Sequence, residues 1–348
     1  MYRKKFENDE NDKTINNGIS KMDFDESKDS LNSLFMSNKA SDIIEFYNKF
    51  NFRKDLIEWM RKRPKGKARI CEINGPNDIV VVIPTIDCNG AFAKICRDII
   101  FSGFHIIFVE SGTEKQYFNY AHNCNVGIRK ALEYNPKWII ISNDDMKKKD
   151  EPEILRSEIS KYDPKKYQIL FAETSKNHSL EIHMGKLNAI GTMLLYASSL
   201  IPTSIVNSVT NNRYLAIAIR LKKFKYRYKI SKKYGVKPFF FTTSKHWNIY
   251  MKEGRSFTLF QDFGVFSSSY LSDKKGGMLF DETFINAHED QMISLELSQK
   301  EYTRGALHYS IESQGGGSFG DSLERALRTA ASDIYLSLKM ESCALRKR

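Results

Sequence analysis

The chain has 348 residues, of which 41% are hydrophobic and 12% aromatic, and its formal net charge is +12. That length accommodates one large domain with extensions or two domains, and the composition predicts a folded core. The charge favours an anionic partner, such as a nucleotide, a nucleic acid or an acidic membrane surface, without choosing among them. No apolar run approaches the roughly 18 residues that span a bilayer.

The five cysteines are widely spaced and form no CxxC pair, which argues against a zinc ribbon or a thioredoxin-type site. Their odd number and wide spacing predict reduced thiols and an intracellular compartment. The N-terminal stretch MYRKKFENDENDK lacks the apolar segment of a secretory signal. We therefore expect a cytoplasmic protein.

The first 77 residues differ in composition from the rest of the chain. Residues 1–38 are rich in Asn, Asp, Lys and Ser, which predicts a disordered or loosely packed segment. Residues 39–77 begin with apolar residues at helical spacing as far as Met60 and continue into RKRPKGKAR, so we expect a helical extension and a basic linker. The helical part either forms a homodimer contact or covers the sheet, and the sequence leaves both open.

From Asp78 onwards, short apolar runs alternate with helical patterns. The runs IVVVIPT, FHIIFVE and WIIIS predict strands covered on both faces, and YQILFAE predicts a fourth. Helical patterns separate them, so we expect right-handed βαβ units and a Rossmann-like, mostly parallel sheet flanked by helices. The carboxyl ends of such strands border one crevice, which should bring Thr85, Glu110 and the Asn143-Asp144-Asp145 triplet together.

The second half of the chain is less regular. SFTLFQDFGVFSSSYL and GALHYS predict strands, HEDQMISLELSQK predicts a helix with acids in its first turn, and residues 321–348 hold an amphipathic C-terminal helix. The run KKFKYRYKISKKYGVK at 222–237 alternates aromatic and basic residues from Lys223 to Lys229, which is strand periodicity. This run fits a solvated basic hairpin, a membrane contact or a nucleic-acid contact.

Two adjacent carboxylates, Asp144 and Asp145, follow Asn143 at the end of a buried strand, where they repel each other and lose hydration. A divalent cation would offset that cost, because Mg²⁺ and Mn²⁺ prefer oxygen ligands from one or two carboxylates and substrate phosphates. An Asx-turn or the N-cap of the following helix explains the same residues equally well. Spacing alone does not decide between these explanations.

Six stretches of the sequence together resemble the motifs of a known family. They are VVIPT, FVESG, NYAHNCNVGIRKALE, IIISNDDM, GGMLFDETFINAHEDQMISLEL and LHYSIESQGGGSFG. In that order they resemble the motifs of GT-A fold glycosyltransferases of family 2, in particular the rhamnosyltransferase-like members. Glu110 and Asn143 depart from the family pattern, which has Asp at both positions. Residues 200–256 match no part of it.

The resemblance implies a GT-A catalytic domain at 78–320, with a nucleotide-sugar half at 78–175 and an acceptor half at 176–320. It implies a metal-dependent, inverting transfer of a sugar from a nucleotide-diphosphate donor to a hydroxyl of a glycan or lipid-linked glycan, with Mn²⁺ or Mg²⁺ as cofactor. Asp290, beside Glu289, is the implied catalytic base. The implied donor contacts are Pro84, Thr85, Asp87, Glu110, Asn125, Asn143 and Asp144, and the implied metal ligands are Asp145, Asn143 and His308.

Two other functions stay open. A sugar nucleotidyltransferase would need a Gly-rich loop with a basic residue after the first strand, and PTIDCNGAF lacks one. A non-catalytic nucleic-acid-binding protein would depend on the +12 charge and tolerate the loss of Asp145. We expect nucleic acid not to be the partner, and the implied lipid-linked acceptors favour peripheral membrane association through 222–237.

Overall fold

The computed structural model describes residues 26–111, 115–299, 302–314 and 322–345. The helices of this part are α1 (Glu26–Met36), α2 (Ala40–Asn48), α3 (Arg53–Lys62), α4 (Ala91–Ile95), α5 (Tyr120–Leu132), α6 (Pro152–Ser160), α7 (Ala189–Ala197), α8 (Arg213–Lys233), α9 (Ser268–Ser272), α10 (Glu289–Gln299) and α11 (Leu323–Leu345). Its strands are β1 (Arg69–Ile73), β2 (Ile79–Thr85), β3 (His105–Glu110), β4 (Trp138–Ser142), β5 (Met146–Lys148), β6 (Ile169–Phe171), β7 (Glu181–Leu187), β8 (Phe240–Thr242), β9 (Met251–Thr258), β10 (Phe263–Ser267), β11 (Arg304–Ala306) and β12 (Ile311–Ser313).

A seven-stranded central sheet has the order β1-β3-β2-β4-β10-β6-β11. Strands β2, β3, β4, β6 and β11 run in one direction, and β1 and β10 run in the other. Helices cover both faces of this sheet. The predicted α/β architecture with a mostly parallel, Rossmann-like sheet is therefore confirmed.

The central strands are buried along their whole length because each face packs against helices. Val81 and Ile83 of β2 belong to the core beneath α4 and α6, whereas Val80 and Val82 pack against α5. Successive strand side chains point to opposite faces, so a strand covered on both sides needs a continuous apolar run. This is why the sequence of β2, β3 and β4 predicts them so directly.

Helix α5 lies unusually close to the sheet, at Gly127. A Cβ atom at this position would stand 2.3 Å from Val82 Cγ1 and 2.9 Å from Val109 Cγ2. The N-cap Asn119 accepts the amide N–H of His122 at 2.8 Å and fixes where the helix begins. Gly127 belongs to NYAHNCNVGIRKALE, one of the stretches that resemble the family, and in this chain it is required by packing.

The N-terminal region is more ordered than its composition predicts. Residues 1–25 lie outside the described part, but α1 is formed and its Phe35 is fully buried. The predicted helical extension is two helices, α2 and α3, which pack with α1 and α11 in a separate core. The predicted basic linker is only partly a linker. Arg69 begins the edge strand β1. Arg63 is buried and donates to Asn32 Oδ1 at 2.8 Å and to Gln116 O at 2.6 Å.

The prediction of a strand within 222–237 is wrong, because most of this run is the C-terminal half of helix α8. Phe224 and Tyr228, one helical turn apart, are buried with Leu221 in one core, while Tyr226 and Ile230 pack against another. A helix enclosed between two cores carries apolar residues on several faces, and here that pattern imitates the alternation of a strand.

The cysteines also differ from expectation. Cys71 of β1 and Cys88 of the loop after β2 form a disulfide, with a Cα–Cα distance of 6.5 Å. Cys96 and Cys124 are free and buried. The expectation of reduced thiols is therefore wrong for the first pair. Across the described residues, none of the helices combines the length and apolarity that crossing a bilayer requires.

We predict that Gly127→Ala lowers the free energy of unfolding by about 1–3 kcal/mol, because the added methyl must displace Val82 or shift α5. Urea denaturation of both proteins measures the change. Gly254→Ala is the matched control, since the nearest atom to its Cβ would be Met184 O at 3.7 Å. Equal stabilities of the Gly127→Ala variant and the parent protein would show that α5 does not pack this closely.

Candidate functional site

A cavity of about 310 Å³ lies at the carboxyl ends of β2 and β4. Strand β2 contributes Pro84, the segment after β4 contributes Asn143, Asp144 and Asp145, and α10 contributes its first turn. The described lining residues include five carboxylates, and we call this space the acidic cavity: its acids are Asp144, Asp145, Asp262, Glu289 and Asp290.

The Asn143-Asp144-Asp145 triplet is held by side-chain contacts at the end of β4. Thr85 Oγ1 donates to Asp144 Oδ2 at 2.7 Å, and Asn143 Nδ2 donates to Asp262 Oδ1 at 3.0 Å. Burial raises the pKa of Asp144, and the Thr85 hydroxyl partly opposes that rise. The N-cap of α6 is Glu151, so the triplet does not serve as the cap of the following helix.

Asp262 is a site residue that the sequence analysis missed. It immediately precedes β10, whose Phe263 pairs with Ser142 of β4, so the antiparallel neighbour delivers its acid to the same edge as Asp145. Burial raises the pKa of Asp262 to about 7, and the charges of Asp145 and Asp290 add to the rise while a Ser313 hydrogen bond opposes it. The sequence does mark this position: Gln261 and Asp262 form a polar break between two apolar runs in SFTLFQDFGVF.

Glu289 and Asp290 form the first turn of α10, and both are buried. Burial raises the pKa of each carboxyl. At Glu289 the charge of Asp290 adds to the rise. At Asp290 the rise is opposed by the Gln291 amide N–H, which donates to Oδ1 at 2.8 Å. Both carboxyl groups are therefore harder to ionise than exposed carboxyl groups. Such perturbed carboxyls in a cleft are typical of functional sites.

The loop before α10 is conformationally strained. Asn286 has φ 52° and His288 has φ 72°, in the left-handed region that non-glycine residues rarely adopt. The Tyr120 amide N–H donates to Asn286 Oδ1 at 2.9 Å, and the ring of His288 contacts Asp333 Oδ1 at 2.8 Å through Nε2. These contacts stabilise a backbone conformation that aims the acids of α10 into the cavity.

The described residues offer one set of three His, Cys, Asp or Glu ligand atoms within 4.8 Å of one another, from Cys71, Cys88 and Glu110. The disulfide occupies both sulfurs of that set, so it does not fit Mn²⁺ or Mg²⁺. In the acidic cavity the fit is different. Asp145 Oδ1 and Asn143 Oδ1 are buried there without a hydrogen-bond partner among the described residues. Oxygens in this condition suit a divalent cation that takes its remaining ligands from phosphates and water.

The remaining predicted site residues lie outside the lining of the acidic cavity. Glu110 Oε2 accepts from Arg69 Nη2 at 2.9 Å and from the Cys88 amide at 3.1 Å, beside the disulfide. Asp87 is exposed in the turn after β2. Asn125 is fully buried and donates to Phe280 O at 2.8 Å, so it fixes the FDETF segment instead of facing a ligand. His308 is exposed, and the structure does not bring it to the acidic cavity.

Helix α11 adds Arg325, a further residue that sequence reasoning missed. Among the described lining residues of the acidic cavity, Arg325 is the one Lys or Arg. Its charge opposes the rise in pKa at Asp262, Glu289 and Asp290. The amphipathic pattern of α11 predicts the helix but not which of its polar residues reaches the sheet edge.

A scan against models of known protein families finds none that matches this chain, and a search of curated proteins finds no match.

We predict that Asp262→Asn stabilises the metal-free protein at about pH 8 by roughly 1–3 kcal/mol and has little effect at about pH 4. The pKa of Asp262 rises from 3.8 to about 7 on folding, so the folded state binds more protons and loses stability as pH rises through that window. The amide oxygen can still accept from Asn143. Urea denaturation with a chelator at both pH values measures the effect, and a variant less stable than the parent at the higher pH would contradict it.

Proposed function

We propose that the protein is a metal-dependent, inverting glycosyltransferase with a GT-A type catalytic domain, acting on a nucleotide-diphosphate sugar. One observation carries the proposal: the Asn143-Asp144-Asp145 triplet and the Glu289-Asp290 pair, more than 140 positions apart in the printed sequence, line the same cavity at the carboxyl ends of β2 and β4. In open α/β sheets this edge is where ligands bind. The order of motifs in the sequence supports the same conclusion.

Asp145 and Asn143 would hold Mn²⁺ or Mg²⁺, because Oδ1 of each is buried without a hydrogen-bond partner among the described residues. Asp144 is less available, since its Oδ2 accepts from Thr85. The ion would neutralise the charge that develops on the departing diphosphate. Thr85 thus acts on the donor indirectly, by fixing the carboxylate beside the two ligands.

Asp290 is the proposed base. As the acceptor oxygen forms its bond to the anomeric carbon, the bond from that carbon to the diphosphate oxygen breaks and the nucleoside diphosphate leaves with the electron pair. The acceptor proton passes to the Asp290 carboxylate. Burial raises the pKa of Asp290, which makes its ionised form a stronger base than an exposed aspartate. Direct displacement on one face of the sugar inverts the anomeric configuration.

We predict that nucleoside diphosphates and nucleotide sugars raise the melting temperature of the protein only when Mn²⁺ or Mg²⁺ is present, because the acidic cavity repels a bare diphosphate. Donor hydrolysis should fall at least about 100-fold with a chelator or with Asp145→Ala. Asp98→Asn, at an exposed surface position, is the matched control. If no nucleotide shifts the melting temperature under any metal condition, the proposal fails.

We predict that Asp290→Asn lowers the rate of sugar transfer about 10²–10⁴-fold while donor affinity stays within about twofold. Asparagine retains an oxygen that can accept from the Gln291 amide, so the first turn of α10 keeps its geometry. Transfer rates and donor affinity are measured separately, the second by calorimetry with Mn²⁺. Full transfer activity in this variant would remove Asp290 from the role of base.

A further inference from the structure

An exposed apolar stripe runs along α7 and continues into the 3₁₀ turn that follows it, Ser198–Leu200. Ile190, Met193, Ala197 and Leu200 recur at intervals of three or four residues, and each is exposed. Met193 is 64% exposed and Leu200 is 88% exposed. No residue of α7 is charged, so the helix presents apolar groups to its surroundings as well as to the core. We call these four residues the α7 stripe; an exposed apolar surface of this kind marks a contact with an apolar partner.

The inner side of α7 holds the stripe in place. Leu195 is fully buried in one core with Leu221 of α8. The N-cap Asn188 accepts the Gly191 amide N–H at 3.0 Å and donates to Ile249 O at 2.7 Å. Ile249 is itself exposed, so it extends the apolar surface beside the start of α7. The stripe therefore belongs to a packed helix instead of a loose loop.

Lysines of α8 border the stripe. Lys225 Nζ lies 5.4 Å from the centroid of the Tyr196 ring and donates to Ser199 Oγ, and both partners are uncharged. Lys229 and Lys232 follow Lys225 on the same face of α8, and both are exposed. None of these three lysines forms an ion pair with a carboxylate among the described residues. The apolar stripe is thus flanked by positive charge.

The region around α7 and α8 concentrates the charge of the whole chain. Residues 188–252 contain 12 Lys or Arg residues and no Asp or Glu, whereas the rest of the chain contains 42 basic and 42 acidic residues. The formal net charge of +12 therefore arises from this region, which we call the acid-free segment. Seven of the fourteen exposed large apolar side chains among the described residues also lie in it: Ile190, Met193, Tyr196, Leu200, Val209, Tyr214 and Ile249.

We propose that the α7 stripe and the α8 lysines bind the surface of an anionic lipid bilayer. The stripe enters the boundary between headgroups and acyl chains, and the lysines face the lipid phosphates. Helix α7 has nine residues, too few to cross a bilayer, so it lies in the plane of the interface. Tyrosine is favoured at that depth. Tyr196 of α7 is exposed, and Tyr214 is exposed on the face of α8 that carries Lys225.

This surface goes beyond the proposed function and does not rest on it. It also differs from the basic run at 222–237, which the sequence analysis considered as a membrane contact. Phe224 and Tyr228 of that run are buried, so the run contributes exposed lysines to the surface. The apolar contact comes from α7, which precedes the run in the chain.

Charge and side-chain type favour a bilayer over two other occupants. A second copy of the chain would place one acid-free segment against another, and like charges would meet across the two-fold axis. A nucleic acid engages cations through its phosphates and aromatic rings through its bases, but it offers little to the aliphatic side chains of Ile190, Met193 and Leu200. A bilayer accommodates both the aliphatic groups and the positive charge.

The test is co-sedimentation of the full chain with lipid vesicles. Vesicles of phosphatidylcholine with about one part in three of phosphatidylserine should bind the protein at least about tenfold more tightly than vesicles of phosphatidylcholine alone, because each lysine near an acidic lipid surface contributes about fivefold. Met193→Ser combined with Leu200→Ser should weaken binding at least about tenfold, since two apolar side chains no longer enter the bilayer. Lys229→Gln combined with Lys232→Gln should weaken it at least about tenfold as well.

Matched double variants control for the loss of apolar groups and of charge elsewhere. Ile44→Ser combined with Phe52→Ser removes two exposed apolar side chains of the N-terminal helical region. Lys165→Gln combined with Lys166→Gln removes two exposed charges outside the acid-free segment. Both control variants should bind vesicles like the parent protein. All the replaced side chains are exposed, and circular dichroism of each variant verifies that it is folded.

Three results would overturn the inference. The first is that the parent protein does not bind the anionic vesicles, and the second is that the stripe variant binds them as tightly as the controls do. The third is that the stripe or lysine variant keeps vesicle binding but dissociates a dimer in analytical ultracentrifugation or loses binding to single-stranded DNA, which would make a second copy or a nucleic acid the occupant. Donor hydrolysis without vesicles tests the glycosyltransferase proposal separately, so either proposal can fail alone.

Discussion

The burial of five carboxyl groups around one small cavity is the constraint on which this structure depends. Each charged group loses hydration as it enters the sheet edge, and repulsion between neighbouring carboxylates adds to that cost. The fold resists this with rigid supports: strands buried on both faces, a glycine that lets α5 touch the sheet, and a strained loop that fixes the start of α10. An arrangement that costs stability and is still held firmly is compatible with the cation site proposed above.

The helices outside the central sheet complete the site as well as covering it. Helix α11 packs with α1, α2 and α3 in one core and projects Arg325 into the acidic cavity. Tyr47 of α2 donates to Leu327 O at 2.8 Å, and Lys233 at the end of α8 donates to Tyr47 O at 2.7 Å. The N-terminal helices thereby hold α8 and α11 together, and those two helices line a second cavity of about 780 Å³ beside the acidic cavity.

The extent to which sequence predicts this molecule differs between its parts for physical reasons. Strands β2, β3 and β4 are continuous apolar runs, so their burial, direction and ends follow from local pattern, and with them the position of Asp145. Helix α8 is enclosed by two cores, and its apolar residues therefore imitate a strand. Asp262 and Arg325 reach the cavity only through an antiparallel pairing and a helix–helix contact between distant segments, which no local pattern encodes.

The wall between the acidic cavity and the second cavity has a thermodynamic consequence. His288 contacts Gln291 Oε1 through Nδ1 at 2.6 Å and Asp333 through Nε2, and it borders both cavities from a strained backbone conformation. A ligand that displaced this ring from one cavity would reshape the neighbouring one. Binding free energies are linked reciprocally, so two ligands bound on the two sides would alter each other's affinity by the same factor. The border between the cavities is therefore where cooperativity between two substrates would originate.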